Sequence, residues 1–165
     1  MNILDLCYEK YKINKPIRLI ELFAGIGSQC QALKNINANF EHWKVVEIDK
    51  YAIKSYNAIH NTNFETSDIT KITAKDLQII DVDKFEYIMT YSFPCQDLSN
   101  VGAFHGYNKG IDKDSGSRSS LLWQVGRILQ EMKDAHRRLP RYLLMENVPS
   151  LLSQRHFANF STLIH

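Results

Sequence analysis

One cysteine stands directly after an apolar run, in a setting that suits a nucleophile. The run, Tyr87 to Tyr91, is typical of a short buried strand. Pro94 cannot donate to a sheet ladder, so the strand should end and leave Cys95 on the loop at its carboxyl end. Open α/β sheets bind ligands at that end. A lone cysteine is more often a small buried hydrophobe, but the polar pair Gln96 and Asp97 favours the reactive interpretation, which requires a thiolate.

A carboxylate follows another predicted strand in the same way. Arg141 to Met145 is apolar enough for a buried strand, and Glu146 and Asn147 come directly after it. If the two strands are parallel neighbours, Glu146 lies close to Cys95. A carboxylate in that position either caps a helix or handles a proton of a bound substrate.

Two further strand-to-helix units precede the cysteine. The first joins a strand over 18–23 to a helix over 29–36 through Gly25 and Gly27, and such a turn lets a ligand approach the backbone and the free N–H groups of the helix. The third glycine of the dinucleotide fingerprint is absent, so an ordinary turn remains an alternative. The second joins a strand over 43–47 to a helix over 50–60. Its Glu47 lies where an acidic residue reaches ribose hydroxyls in nucleoside-binding folds, whereas Asp49 suits a helix cap.

The segment between these units and the cysteine strand is less regular. We expect a brief strand over 64–66 and a short helix over 73–80. Asp68 could hold a planar amine such as an adenine edge, or it could form a simple Asx turn. After the cysteine, residues 97–118 form a long glycine- and serine-rich loop that resembles a mobile lid. An apolar face between Leu121 and Met132 then predicts a helix that packs on the sheet.

Composition limits the class of protein. The 165 residues are 44% hydrophobic and carry a formal net charge of +2, which fits one soluble domain and is too weak to indicate nucleic-acid binding alone. Cys7, Cys30 and Cys95 are odd in number and form no Cys-x-x-Cys, which predicts a reducing compartment with neither disulfides nor structural zinc. We expect no membrane span and no signal peptide, because no apolar run approaches about 18 residues and the acidic N-terminus has no cleavage signal.

Together, these pieces resemble the cytosine-C5 DNA methyltransferases. Six motifs occur in the family's order over about residues 17–150: Phe23-Ala24-Gly25-Ile26-Gly27, Glu47-Ile48-Asp49, Asp68-Ile69, Ser92-Phe93-Pro94-Cys95-Gln96, Ser117 to Trp123, and Met145-Glu146-Asn147-Val148. The strings around Cys95 and Glu146 are most similar to the branch that includes the bacterial CpG methyltransferases. The resemblance implies an α/β fold of the Rossmann-like, S-adenosylmethionine-dependent methyltransferase type, with helices on both faces of a parallel sheet.

The resemblance also implies roles for individual residues. Cys95 would add to C6 of a cytosine flipped out of the duplex, Glu146 would hydrogen-bond N3, and Arg118 would lie near the target base or its phosphate. Glu47 would hold the ribose hydroxyls of S-adenosylmethionine, and Asp68 would meet its adenine amine. The full implied cofactor set is Phe23, Ala24, Gly25, Ile26, Gly27, Glu47, Ile48, Asp68, Ile69, Pro94 and Leu121. The implied DNA contacts are Phe93, Pro94, Gln96, Ser99 and Asn147.

The sequence departs from the family pattern after Glu146. A Gln-x-Arg-x-Arg element, a target-recognition region and further strands usually follow, and they are missing here. We therefore expect an N-terminal helical extension over 1–16 and a partial catalytic domain over 17–165. With five strands, the expected order is 3-2-1-4-5, which leaves the last strand as an apolar edge.

These departures predict the partners. Double-stranded DNA would be the substrate, and either a second polypeptide would complete the sheet and supply target recognition, or the edge strand would pair with a second copy. The implied location is the cytoplasm of a bacterial or phage-type system. The alternative function is a catalytically incomplete module that binds the cofactor or a partner. A nicotinamide-dependent dehydrogenase is disfavoured, because the third turn glycine is absent.

Overall fold

The protein is built on one parallel sheet in a computed structural model that describes residues 13–95, 118–153 and 161. The strands are β1 (Ile17–Leu22), β2 (Phe40–Val46), β3 (Glu86–Tyr91) and β4 (Tyr142–Met145), in the order β2-β1-β3-β4. The helices are α1 (Ser28–Asn35), α2 (Lys50–His60) and α3 (Leu122–Asp134), and short 3-10 turns occupy Ile69–Lys71, Ser119–Leu121 and Pro149–Leu152. None of the helices in these ranges has the length and apolar character needed to cross a bilayer.

The expected third strand over 64–66 is not formed. The side chain of Asn57 binds both backbone groups of Phe64: its amide donates to the Phe64 carbonyl at 2.8 Å, and its oxygen accepts from the Phe64 N–H at 2.9 Å. These groups are therefore not offered to a neighbouring strand. The expected order 3-2-1-4-5 therefore loses its first strand. The other four strands keep their expected arrangement, which is β2-β1-β3-β4 in the numbering used here.

The helix expected over 73–80 is also replaced by a turn. The carboxylate of Asp76 accepts hydrogen bonds from the backbone N–H and the hydroxyl of Thr73, and Gln78 adopts a left-handed conformation with φ of 49°. A left-handed residue does not continue a right-handed helix. By contrast, α2 has the predicted bounds. Asp49 caps it by accepting from the N–H groups of Tyr51 and Ala52.

The apolar core lies mainly between the sheet and α3. Ile20 and Met89 from the central strands, and Val125 and Ile128 from α3, are all fully buried. A smaller cluster packs α2 against the carboxyl ends of β1 and β2. Burial of this apolar surface holds β1 and β3 at the centre, so the loops that follow them start from fixed points.

At the opposite end of β1, the side chain of Arg18 is enclosed by aromatic rings. Its guanidinium lies 3.6 Å from the centre of the Trp43 ring and 3.7 Å from that of Phe85. It also forms an ion pair with Glu41 and donates to the Tyr87 hydroxyl at 2.8 Å. These contacts satisfy a largely buried charge, as burial requires. They join β1, β2 and β3 at the end of the sheet that bears no candidate site.

Candidate active site at the carboxyl ends of the strands

The turn after β1 combines a strained residue with two left-handed glycines. Phe23 has a φ of 58°, an uncommon conformation for a bulky side chain and one that concentrates at functional sites. The N–H of Ala24 donates to the Val46 carbonyl at 3.1 Å, which ties the turn to the end of β2. The turn is therefore held by a backbone contact to the end of β2.

The two glycines of this turn have different surroundings. A Cβ at Gly25 would meet no atom within 4 Å, so the backbone there borders open space. A Cβ at Gly27 would lie 2.3 Å from Nε2 of His60 and 2.7 Å from Cε2 of Tyr56. Both residues have positive φ. Gly25 thus leaves room for a ligand, whereas the room that Gly27 leaves is filled by α2, contrary to the expectation that both glycines face the cofactor.

Glu47 directly follows β2 and connects the end of that strand to the turn after β1. Its Oε2 accepts from the N–H of Gly25 at 2.8 Å, and its Oε1 accepts from the N–H of Asp49 at 2.8 Å. The side chain of Ile48 beside it is 67% exposed. A fixed carboxylate next to an exposed apolar side chain can bind a ligand that has both hydroxyls and a flat apolar ring.

Beyond Glu47, the two motif residues expected to meet the adenine have different positions. The Oδ1 of Asp68 accepts from the N–H and the hydroxyl of Thr70, so Asp68 caps a 3-10 turn. Ile69 packs in the core and is 5% exposed, which leaves little of it for a ligand. The hydroxyl of Ser67 is buried and has no hydrogen-bond partner among the described residues. An orphaned buried hydroxyl is costly, and a bound polar group would satisfy it.

The cysteine and the carboxylate lie in one pocket. The pocket has a volume of about 260 Å³ and is lined by residues 92–95 after β3 and residues 146–148 after β4. Cys95 is half-buried and Glu146 is exposed. β3 and β4 are parallel neighbours, and the N–H of Glu146 donates to the Tyr91 carbonyl at 3.2 Å. The structure therefore brings together the two side chains that the sequence placed at adjacent strand ends.

Polar side chains fix the backbone just before Cys95. The amide of Asn147 donates to the Phe93 carbonyl at 2.8 Å, and the hydroxyl of Ser119 donates to the Pro94 carbonyl at 2.7 Å. Ser119 is fully buried. The sequence predicted Asn147 as a DNA contact and assigned no role in the site to Ser119, so neither anchoring role was foreseen. The only signal was that both residues belong to the motifs quoted for the family resemblance.

Other expected site residues take different positions. The side chain of Phe93 is 2% exposed in the core, which does not suit the DNA contact expected of it. Leu121 is partly buried against the same core, and Ala24 is buried. Arg118 is exposed before α3 and does not line the part of the pocket that the structure describes. Ile26 is 54% exposed beside the glycine turn. The expected contacts Gln96 and Ser99 lie outside the described residues.

Comparisons with known proteins agree with this arrangement. The family model for the C-5 cytosine-specific DNA methylase matches residues 17–165. The chain is 33% identical to the type II methyltransferase M2.ScrFI of Lactococcus lactis subsp. cremoris, over 88% of this chain and 51% of that protein. It is 31% identical to the orphan methyltransferase M.SssI of Spiroplasma monobiae, over 86% of this chain and 48% of that protein. The chain thus spans about half the length of these relatives.

Solved structures show the same fold. The Dnmt2 methyltransferase of S. pombe superposes with a TM-score of 0.63 at 24% identity, over 91% of this chain and 40% of that one. The methyltransferase EhMeth of Entamoeba histolytica also gives 0.63, at 22% identity over 92% of this chain and 44% of that one. The family model matches nearly the whole length of the chain, and the cysteine and the carboxylate lie at adjacent strand ends. The chain therefore belongs to the C-5 cytosine-specific DNA methylase family.

Proposed function

We propose that the chain is the cofactor-binding and nucleophile-bearing part of a DNA (cytosine-5-)-methyltransferase that acts on double-stranded DNA in the cytoplasm. The observation that carries this proposal is that Cys95 and Glu146 line one pocket from adjacent strand ends. A thiol and a carboxylate facing the same small volume suit covalent attack on a ring with hydrogen bonding to that ring. Family membership supports the same reaction.

We propose that S-adenosylmethionine binds at the carboxyl ends of β1 and β2. Open space next to Gly25, the fixed carboxylate of Glu47, the exposed side chain of Ile48 and the orphaned hydroxyl of Ser67 together support a ligand with hydroxyls, a flat ring and polar edges. Glu47 would bind the ribose hydroxyls and Ile48 would pack on the adenine. When bound, this cofactor supplies a methyl group on an electron-poor carbon, which an electron-rich ring carbon accepts.

On the DNA side, Cys95 activates the cytosine. Its thiolate forms a bond to C6, and the displaced electron pair increases the density at C5 and at N3. The carboxyl group of Glu146, in its protonated form, would donate to N3 and stabilise the negative charge that develops there. Once C5 carried the transferred methyl group, its proton would pass to water and the electron pair would re-form the C5–C6 double bond. The bond from C6 to sulfur would break in the same step, and Cys95 would leave as a thiolate. The target base must leave the duplex for this attack, because C6 cannot be reached within the stack.

We also propose that a further polypeptide segment, equivalent to the remaining half of the relatives, pairs with β4. Leu143 and Leu144 point to opposite faces of β4 and are 47% and 55% exposed, so neither face is covered by the described residues. An open apolar edge pairs readily with another strand. This segment would supply target recognition, and a second copy of the chain is the competing occupant. Size measurement of the chain alone distinguishes them, since a stable dimer would favour the second copy.

Replacement of Cys95 tests the reaction directly. Cys95→Ala should lower methyl transfer by more than about 10³-fold, because no other group can form the bond to C6. Binding of S-adenosylmethionine, measured by calorimetry, should persist. The assay uses tritiated methyl donor and duplex DNA, with the chain alone and with a polypeptide carrying the relatives' remaining half. Undiminished transfer by Cys95→Ala would refute the nucleophile assignment.

The same assay separates the enzyme from the alternative, a module that binds the cofactor or a partner without catalysis. The open edge of β4 and the half-length match are the observations that favour this alternative. If the chain binds S-adenosylmethionine and the second polypeptide, yet the pair transfers no methyl group, the module is the better description. Transfer that depends on Cys95 establishes the enzyme.

A further inference from the structure

A cluster of potential metal ligands lies behind the glycine turn, separate from the pocket of Cys95. One ligand atom from each of Glu21, Cys30 and His42 lies within 4.8 Å of the other two. The Nδ1 of His60 lies beside this group, 3.4 Å from the Cys30 sulfur, but the group within 4.8 Å does not include it. Glu21 and Cys30 are 1% and 0% exposed, and His60 is 6% exposed. The proposed reaction uses none of these side chains.

Hydrogen bonds on the far sides of both imidazoles orient them towards the sulfur. The Nε2 of His60 lies 2.9 Å from the Ile26 carbonyl, which can only accept, so Nε2 carries the proton and Nδ1 presents its lone pair to Cys30. The hydroxyl of Tyr56 donates to Glu21, so its oxygen accepts from Nδ1 of His42 at 2.8 Å. His42 therefore presents the lone pair of Nε2. Such outer partners, a carbonyl or a polar group on the second nitrogen, are the usual support of metal-binding histidines.

The distances suit a zinc site with three protein ligands. With Zn–S near 2.3 Å and Zn–N near 2.0 Å, a tetrahedron has sulfur-to-nitrogen edges of about 3.5 Å. The Cys30 sulfur lies 3.7 Å from Nε2 of His42. One thiolate, one carboxylate and one neutral imidazole would balance the charge of a divalent ion, and a water would take the fourth position.

We propose that Glu21, Cys30 and His42 form a binding site for Zn²⁺. Binding releases the Cys30 thiol proton to solvent as the sulfur–zinc bond forms. Soft sulfur and imidazole ligands favour zinc over magnesium or calcium. The ion would join β1, α1 and β2 directly behind the turn that carries Gly25. The sequence predicted no zinc because it contains no Cys-x-x-Cys, whereas here the fold collects ligands from three separate elements.

The surroundings provide an entry path and one competing charge. A surface cavity of about 330 Å³ is lined by Gly27, Gln31 and His60, among others, and His60 borders the Cys30 sulfur, so an ion can approach from this side. The Nζ of Lys34 lies 3.0 Å from Nδ1 of His60, so its ammonium opposes a cation bound next to Cys30. Lys34 is half-exposed on α1, so its flexible chain can move away.

Cobalt substitution tests the site on the purified chain. After treatment with chelator and reductant, the chain is titrated with Co²⁺ alone and then with Zn²⁺. We expect one cobalt ion per chain, with a thiolate-to-cobalt charge-transfer band and the intense visible bands of tetrahedral coordination, and we expect zinc to displace them. Absence of the charge-transfer band in the wild-type chain would overturn the proposal.

Variants locate the ligands. Cys30→Ser should lose the charge-transfer band, while the matched cysteine variant Cys95→Ser should keep it; the reverse pattern would overturn the proposal. Because Cys30→Ser alters a buried position, Lys34→Met provides a second test that leaves the core intact. Removal of the competing ammonium should tighten cobalt binding several-fold, and unchanged or weaker binding would contradict the proposed geometry.

Discussion

The two edges of the sheet differ in how completely they are packed. At the β2 edge, the last two residues of the strand, Val45 and Val46, are buried, and the side chain of His42 joins contacts with α2. At the β4 edge, none of the four strand residues is buried. The carboxyl end of β2 is thus packed by the described residues, whereas β4 is covered on neither face by them. The proposed cofactor site and the proposed site of reaction with DNA therefore differ in their structural support.

A matched pair of leucines tests this contrast most strongly. Leu22 in β1 is 1% exposed, and Leu144 in β4 is 55% exposed. Leu22→Ala should lower the free energy of unfolding by about 3 kcal/mol, because it leaves a cavity in the main core. Leu144→Ala should change it by less than about 0.5 kcal/mol. Urea denaturation of the isolated chain measures both. Equal losses would show that β4 is covered after all.

The two turn glycines, Gly25 and Gly27, allow a second comparison, between a position that borders open space and one that packs against α2. Gly27→Ala should cost about 2 to 3 kcal/mol of stability, since its Cβ would overlap His60 and Tyr56 and its φ is 83°. Gly25→Ala should cost about 1 kcal/mol, from its left-handed conformation alone. Binding of S-adenosylmethionine should weaken in Gly25→Ala, as its Cβ enters the open space. Calorimetry at a temperature where both variants are folded measures this, and normal affinity would place the cofactor elsewhere.

On the nucleophile side, the anchor from Ser119 makes a smaller contribution. Ser119→Ala removes the hydrogen bond to the Pro94 carbonyl and should cost about 1 kcal/mol of stability. It should also lower the rate of methyl transfer more than it lowers cofactor affinity, because it loosens only the backbone next to Cys95. Ser153→Ala, at an exposed position, is the control and should affect neither. If Ser119→Ala weakened cofactor binding as much as it slowed methyl transfer, the cofactor side and the nucleophile side would not be structurally independent.

The smallest expected effect is a pH dependence at the contact between α3 and the turn near Ala74. The N–H of Ala74 donates to Glu131 at 3.0 Å, and this bond, together with Arg127, holds the pKa of Glu131 below its ordinary value. Its contribution to stability is therefore complete above the unfolded pKa of about 4.3 and is lost as pH falls through the lower folded value. Glu131→Gln should flatten the acid side of the stability curve by a few tenths of a kcal/mol, after solvent screening. Thermal unfolding between about pH 3 and pH 6 measures it, and an unchanged slope would contradict the assignment.

The buried polar network behind the glycine turn has its own electrostatics. Burial raises the pKa of Cys30 to about 11, with the charge of Glu21 as a smaller cause. Burial also raises the pKa of Glu21 and lowers that of His42. The upward shift at Glu21 is the opposite of the shift at the exposed carboxylates of Asp49 and Asp68, whose pKa values are lowered by backbone N–H donors.

Sequence alone determined the motifs, their order and the elements that carry them. Apolar runs at strand length and a capping aspartate are local signals, so β1, β3, β4 and α2 could be predicted, as could the meeting of Cys95 and Glu146 at neighbouring strand ends. The tertiary structure decided what depends on distant partners. It assigned the Phe64 backbone to Asn57 instead of a strand, filled the space at Gly27 with α2, and collected Glu21, Cys30 and His42 into one cluster. Such contacts join residues far apart in the chain, and no local pattern records which side chain will occupy a given space.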